Sequence, residues 1–125
     1  MIVADIVEVL NAKYLIGEAF SDRTVHSACG SDLMSDVLAF VKDQSVLVTG
    51  ITNAQAVRTA EMMDIVCIVL VRGKNADAAM LSVAENCGIV VLQTEHSMFT
   101  ACGLLYESGL RGGGKSGAKK TKTAL

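Results

Sequence analysis

The sequence predicts an α/β domain of two or three layers, built on a mainly parallel sheet with βα repeats. Two observations carry this reading. First, the second half of the chain repeats one unit three times, a short apolar run, a small polar turn and then a helix-patterned segment. The units are Val46-Leu47-Val48-Thr49-Gly50-Ile51-Thr52-Asn53, Cys67-Ile68-Val69-Leu70-Val71-Arg72-Gly73-Lys74-Asn75 and Ile89-Val90-Val91-Leu92-Gln93-Thr94-Glu95-His96-Ser97. Second, the apolar runs start roughly 21 to 22 residues apart, the length of a strand, a helix of two to three turns and short loops. Strands joined in this way set their three polar turns along one edge of the sheet. Ligands in open α/β sheets bind at that edge, outside the carboxyl ends of the strands.

The elements follow in order. Ile2, Val3, Ile6, Val7 and Leu10 fall at helical spacing, so the chain opens with a short amphipathic helix ending near Asn11. Tyr14-Leu15-Ile16 reads as a brief strand closed by Gly17, and Thr24-Val25-His26-Ser27-Ala28-Cys29 as a second that breaks at Gly30. Residues 14 to 29 either join the main sheet or form a separate flap. Ser31 or Asp32 caps the next helix, with Leu33, Met34, Val37, Leu38 and Val41 as its apolar stripe. In the first repeat, Thr52 or Asn53 caps a helix whose Ala56, Ala60 and Met63 line up beside Val57. In the second, Asn75 or Asp77 sits near the helix start, Met80, Ala84 and Cys87 face inward, and Gly88 supplies the stop. In the third, Met98, Cys102 and Leu105 repeat the pattern beside Phe99 and Tyr106. Each of these helices is expected to have one dry face.

The 125 residues fit one domain, residues 1–110, followed by a tail, residues 111–125. From Gly112 the composition turns to Gly, Lys, Ser, Thr and Ala without apolar periodicity, so the basic tail is expected to be disordered. The first 110 residues hold all 13 acids and only six Lys or Arg, a net −7, while the last fifteen carry five cations and no acid. An acidic body repels backbone phosphates and argues against nucleic-acid binding. Apolar residues make up 51% of the chain and mean hydropathy is +0.44, yet no apolar stretch is long enough to cross a membrane. The first residues lack a secretory signal, so a cytoplasmic location is the expectation. So much apolar material in a small domain is expected to leave some on the surface, and a two-fold homodimer is the common way to cover it.

Catalytic signatures are missing from the sequence. There is no GxSxG, Walker A, HExxH or GxGxxG string, and Gly112-Gly113-Gly114-Lys115-Ser116 has Leu110 where a phosphate loop needs its first glycine. Cys29, Cys67, Cys87 and Cys102 show no CxxC spacing and His26 and His96 no ligand pattern, so neither a metal nor another cofactor is expected. Cys67, Cys87 and Cys102 read as core residues. Cys29 lies between a strand end and a helix start, where a helix dipole can activate a thiol, and a small thiol-dependent enzyme using Cys29 is one alternative. The three turns hold the remaining candidates. Thr49, Gly50, Thr52 and Asn53 offer hydroxyls, an amide and free N–H groups, and Arg72 and Lys74 flank Gly73 in the neighbouring turn. Thr94 and His96 complete the set, with His96 able to change charge near neutrality. Together they are expected to bind a small anionic or nucleotide ligand; the competing reading is that they are ordinary turn and cap residues.

The order of elements resembles a known family. An N-terminal helix, Tyr14-Leu15-Ile16-Gly17-Glu18, a strand into Ser31-Asp32, then Val46-Leu47-Val48-Thr49-Gly50, Ile68-Val69-Leu70-Val71-Arg72-Gly73 and Gly88-Ile89-Val90-Val91-Leu92 resemble the DRTGG domain, which is similar in turn to the N-terminal domain of HPr kinase/phosphatase. The resemblance covers about residues 1 to 108. Asp22-Arg23-Thr24 echoes the family name, but Val25-His26 follows where two glycines would be needed, and no role is carried over from it. The resemblance implies a non-catalytic regulatory module of HPr kinase N-terminal-domain-like fold, often joined to ligand-sensing CBS pairs or to enzymes such as phosphotransacetylase. Stand-alone copies look similar to small proteins that accompany redox enzymes, which implies a partner complex such as a hydrogenase.

Overall fold

The computed structural model describes residues 1–40 and 43–112. Helix α1, Val3–Leu10, leads into strand β1, Lys13–Ile16, a single helical turn at Glu18–Phe20, and strand β2, Ser27–Gly30. Helix α2, Met34–Val37, follows, and then three βα pairs: β3, Ser45–Thr49, with α3, Ala54–Met62; β4, Ile65–Leu70, with α4, Ala78–Cys87; and β5, Val90–Gln93, with α5, Met98–Glu107. The sheet order is β1-β5-β4-β3-β2. Strands β2 to β5 run parallel, and β1 closes the far edge antiparallel to β5. Residues 14 to 29 thus supply both edges of the main sheet rather than a flap.

Strand alternation divides the core in two. Val46, Val48, Val69, Val90 and Leu92 meet Val3, Ile6 and Leu10 of α1 and Ala101 and Leu105 of α5. On the other face Leu47, Ile68, Leu70 and Val91 meet Ala56, Val57 and Ala60 of α3 and Met80 and Ala84 of α4. The result is three layers. The apolar runs are continuous because both faces of the parallel strands are covered. Consecutive strands β2 to β5 are neighbours, so α2, α3 and α4 share one face, as uniformly handed crossovers require.

Chain termini of the helices follow local chemistry. Asn11 ends α1 in the left-handed conformation, and Gly88 ends α4 in the same way. Asn53 caps α3 by accepting from the Gln55 N–H, and Asp77 caps α4 by accepting from the Met80 N–H.

Three expectations need correction. The second helix is one turn only: Val37 is buried, but Leu33 and Leu38 are exposed, and Val41 lies outside the described residues. Neither Ser31 nor Asp32 caps it; the position belongs to Leu33, without a side-chain bond. Strand β2 begins three residues late and continues through Gly30, which pairs with Val48. Thr24 makes only an isolated bridge to Ile2, and the Val25 and His26 N–H groups donate to the Met1 and Gln44 carbonyls instead. On α5 the buried seam is Ala101 and Leu105, while Phe99 and Tyr106 point outward. Beyond the helix the Arg111 carbonyl accepts from the Ala28 N–H at the β2 edge; the expected tail past Gly112 lies outside the described residues. Among the described residues no helix is long and apolar enough to cross a membrane.

Candidate functional site

Parallel strands bring the three turns, and a fourth segment after β2, to one rim. The Arg72 N–H donates to the His96 carbonyl and the Gly73 N–H to the Thr94 carbonyl, both at 2.8 Å, so the turns after β4 and β5 are stitched together. Arg72 and Gly73 both have positive φ, 55° and 67°, and the Lys74 N–H closes back on the Val71 carbonyl. Two successive left-handed residues under one such bond make a type I′ turn, which explains the glycine and strains the arginine. The Lys74 Nζ donates to the Gly50 carbonyl at 3.2 Å and joins the turn after β3 to the others.

Asp32, which the sequence reading placed at a helix cap, enters this rim instead. Its Oδ1 accepts from the Gly50 N–H at 2.6 Å and from the Thr49 hydroxyl at 3.0 Å. Thr49 is fully buried, and its oxygen also accepts from the Ile51 N–H. A Cβ at Gly50 would stand 3.4 Å from both the Asp32 Oδ1 and the Lys74 Nζ, so acid and cation both reach the backbone here at van der Waals distance. Glu95 adds a second carboxylate, lying so close to Gly73 that a Cβ there would be 2.7 Å from its Oε2.

The other expected site residues divide. Asn53 spends its side chain on the α3 cap. Thr52 contributes its carbonyl to the Asp77 N–H. Thr94 is buried and turns inward, its hydroxyl donating to the Leu10 carbonyl at the end of α1 at 2.8 Å. Its hydroxyl is therefore unavailable to a ligand, and Thr94 serves to tie α1 to the sheet. Arg72 and Lys74 remain exposed, and His96 is half-buried with its backbone used in the turn. Gln93 was not anticipated. Buried at the end of β5, its amide nitrogen donates to the Gly73 and Lys74 carbonyls and to the Asn75 Oδ1, and so shapes the loop that carries Lys74.

Nothing around the cysteines favours a nucleophile. Cys29 is 4% exposed, and burial, with smaller contributions from Cys102 and Asp36, pushes its thiol up to about 11. Burial also raises Cys67, Cys87 and Cys102. His26 lies 3.3 Å from Asp43, before the β2 and β3 strands and away from the rim. Among the described residues no group of His, Cys, Asp and Glu could hold a metal ion. Among the described residues, shallow concavities lie elsewhere, such as one of about 270 Å³ between the β1 end and α4 and one of about 150 Å³ between β2 and α5.

A family model of the DRTGG domain matches residues 5–108 of the 125. The chain belongs to the DRTGG domain family. This DRTGG domain is also similar in fold to a solved structure, the CBS and DRTGG domains of the regulatory region of a Clostridium perfringens pyrophosphatase in complex with its activator, diadenosine tetraphosphate. The TM-score is 0.64 at 18% identity, over 83% of this chain and 45% of that one. The domain thus spans less than half the length of that structure. No curated protein matches it.

Proposed function

We propose that this DRTGG domain is a cytoplasmic, non-catalytic regulatory module that binds a small anionic ligand of the phosphate or nucleotide class at the carboxyl rim of its sheet. One observation carries the reading: the Gly50 N–H and Thr49 hydroxyl together hold an anionic oxygen, that of Asp32, with the Lys74 ammonium beside them. Arg72 supplies the second exposed cation. The pyrophosphatase relative, which takes a dinucleotide polyphosphate as activator, supports the ligand class. A thermal-shift series with inorganic pyrophosphate, ATP and diadenosine tetraphosphate tests it. A ligand at a hundred times its Kd stabilises a domain by about 2.7 kcal/mol, a rise of several degrees. Such a rise should vanish in a variant carrying Arg72→Ala and Lys74→Ala. Flat curves with all three compounds would refute the rim site.

A second reading, that the domain also assembles as a homodimer, is favoured by α5. Phe99 is 88% exposed and Tyr106 60%, and Gly103 between them has open space above it. At helical spacing the three form one outward stripe in which a glycine allows close helix approach. Paired antiparallel about Gly103, two copies would place each Phe99 against the partner's aromatic end of the stripe. Light scattering behind size exclusion should give twice the 13.1 kDa chain mass, falling to the monomer in Phe99→Ser. A monomer throughout at micromolar concentration ends this reading.

A further inference from the structure

We infer that Asp32 is an internal competitor for the rim, a tethered carboxylate that fills the oxyanion cradle until a more highly charged anion displaces it. The inference rests on the rim reading above and names its regulation. Both donors of the cradle converge on one atom, Asp32 Oδ1, at 2.6 and 3.0 Å. Bonds to a charged oxygen at such distances are the strong kind, and a ligand oxyanion would seek the same two donors. The two occupants exclude each other.

The segment that carries Asp32 has little else to hold it. Asp32 plays no part in capping α2, because the cap position is Leu33, whose N–H is taken by the Ser31 hydroxyl. Helix α2 is four residues long, with Val37 buried, Met34 partly buried against the same core, and Leu33 and Leu38 exposed on either side. Asp32 is itself exposed, while the Ser31 N–H is held by the Val48 carbonyl and the Leu33 N–H by the Ser31 hydroxyl, so its carboxylate can leave the cradle by a side-chain rotation that keeps both backbone bonds. Acid and cation both close on this backbone: a Cβ at Gly50 would lie 3.4 and 3.5 Å from the two Asp32 carboxylate oxygens and 3.4 Å from the Lys74 Nζ.

Charge decides which ligands can win. A tethered group competes at an effective concentration on the order of millimolar, and a ligand's apparent affinity falls by the fraction of molecules with the cradle open. A monocarboxylate ligand offers nothing that Asp32 lacks. A phosphate or pyrophosphate brings extra acceptor oxygens and charge for Lys74, whose Nζ reaches the Gly50 carbonyl, and for Arg72, exposed on the same turn as Lys74, so the device selects phosphorylated compounds over carboxylates.

Calorimetric titration of the full chain with inorganic pyrophosphate tests this. Asp32→Ala should tighten binding tenfold or more, and Asp32→Asn, which keeps the shape and loses the charge, should tighten it by a smaller factor; circular dichroism confirms that either variant is folded. Glu95→Gln removes the same charge from the same rim without touching the Gly50 N–H, and should change the affinity less than threefold. If Glu95→Gln tightens binding as much as Asp32→Ala, the effect is general repulsion and the competitor role is overturned. If the Asp32 variants bind no tighter than the wild type while Lys74→Ala weakens binding, the rim site stands and the inference fails. Failure of pyrophosphate to bind any of these proteins removes both.

Discussion

At Cys29, burial sets the chemistry that the sequence left open. The thiol lies against the α2 and α3 side of the core, where desolvation opposes the thiolate more strongly than any neighbour. Its pKa stands at about 11 instead of 9.0, so the unfolded chain releases this proton first. Folding stability from this group is therefore intact below pH 9, declines as pH rises from 9 towards 11, and levels off above that. Urea unfolding of wild type at pH 8 and pH 10.5 should show a decline steeper than that of Cys29→Ala, by roughly 1 to 2 kcal/mol. Equal declines in the two proteins would mean that the thiol is solvated. Thr94 shows the same limit of sequence reading at another residue. Its place after β5 was readable, but the direction of its hydroxyl depended on α1, eighty-four residues away in the chain.

Among the elements, those with strong periodicity were legible and those fixed by long-range contact were not. Three identical βα rhythms gave β3, β4 and β5 and their helices, because a strand buried on both faces and a helix with one apolar stripe leave distinct patterns. Helix α2 misled because Leu33, Met34, Val37 and Leu38 carry a helical spacing of which Val37 is buried and Met34 partly buried, while both leucines stay exposed. Gln93 carries a signal of its own, a polar residue that ends an apolar run between buried neighbours. Its amide satisfies acceptors across the whole Gly73–Asn75 loop. Gln93→Ala leaves these acceptors without their donor, and chemical denaturation should show a loss of about 1 to 3 kcal/mol. Because Lys74 sits on that loop, pyrophosphate affinity should fall as well. A variant as stable as wild type would show that water replaces the amide without cost.

For the molecule as a whole, packing is strongest at the centre of the sheet and weakest at its β2 edge. Strand β4 lies at the centre, hydrogen-bonded on both edges and buried at every residue. The β2 edge carries the shortest helix and the two exposed leucines of the Asp32 segment. Local opening free energies rise with buried apolar contact and reach the global value only in such a centre. Native-state hydrogen exchange should accordingly rank the Ile65–Leu70 amides slowest and the Met34–Val37 amides among the fastest, separated by several orders of magnitude. The Gly50 amide lies at the end of the β3 strand, yet its exchange should follow the thinly packed β2 edge, since its acceptor is the Asp32 carboxylate. Saturating pyrophosphate should then slow Gly50 while leaving Met34–Val37 as fast as before or faster, because the ligand takes over the cradle and releases the segment. Gly50 and Met34–Val37 slowing together would mean that a ligand tightens the Asp32 contact, which a displaced carboxylate forbids.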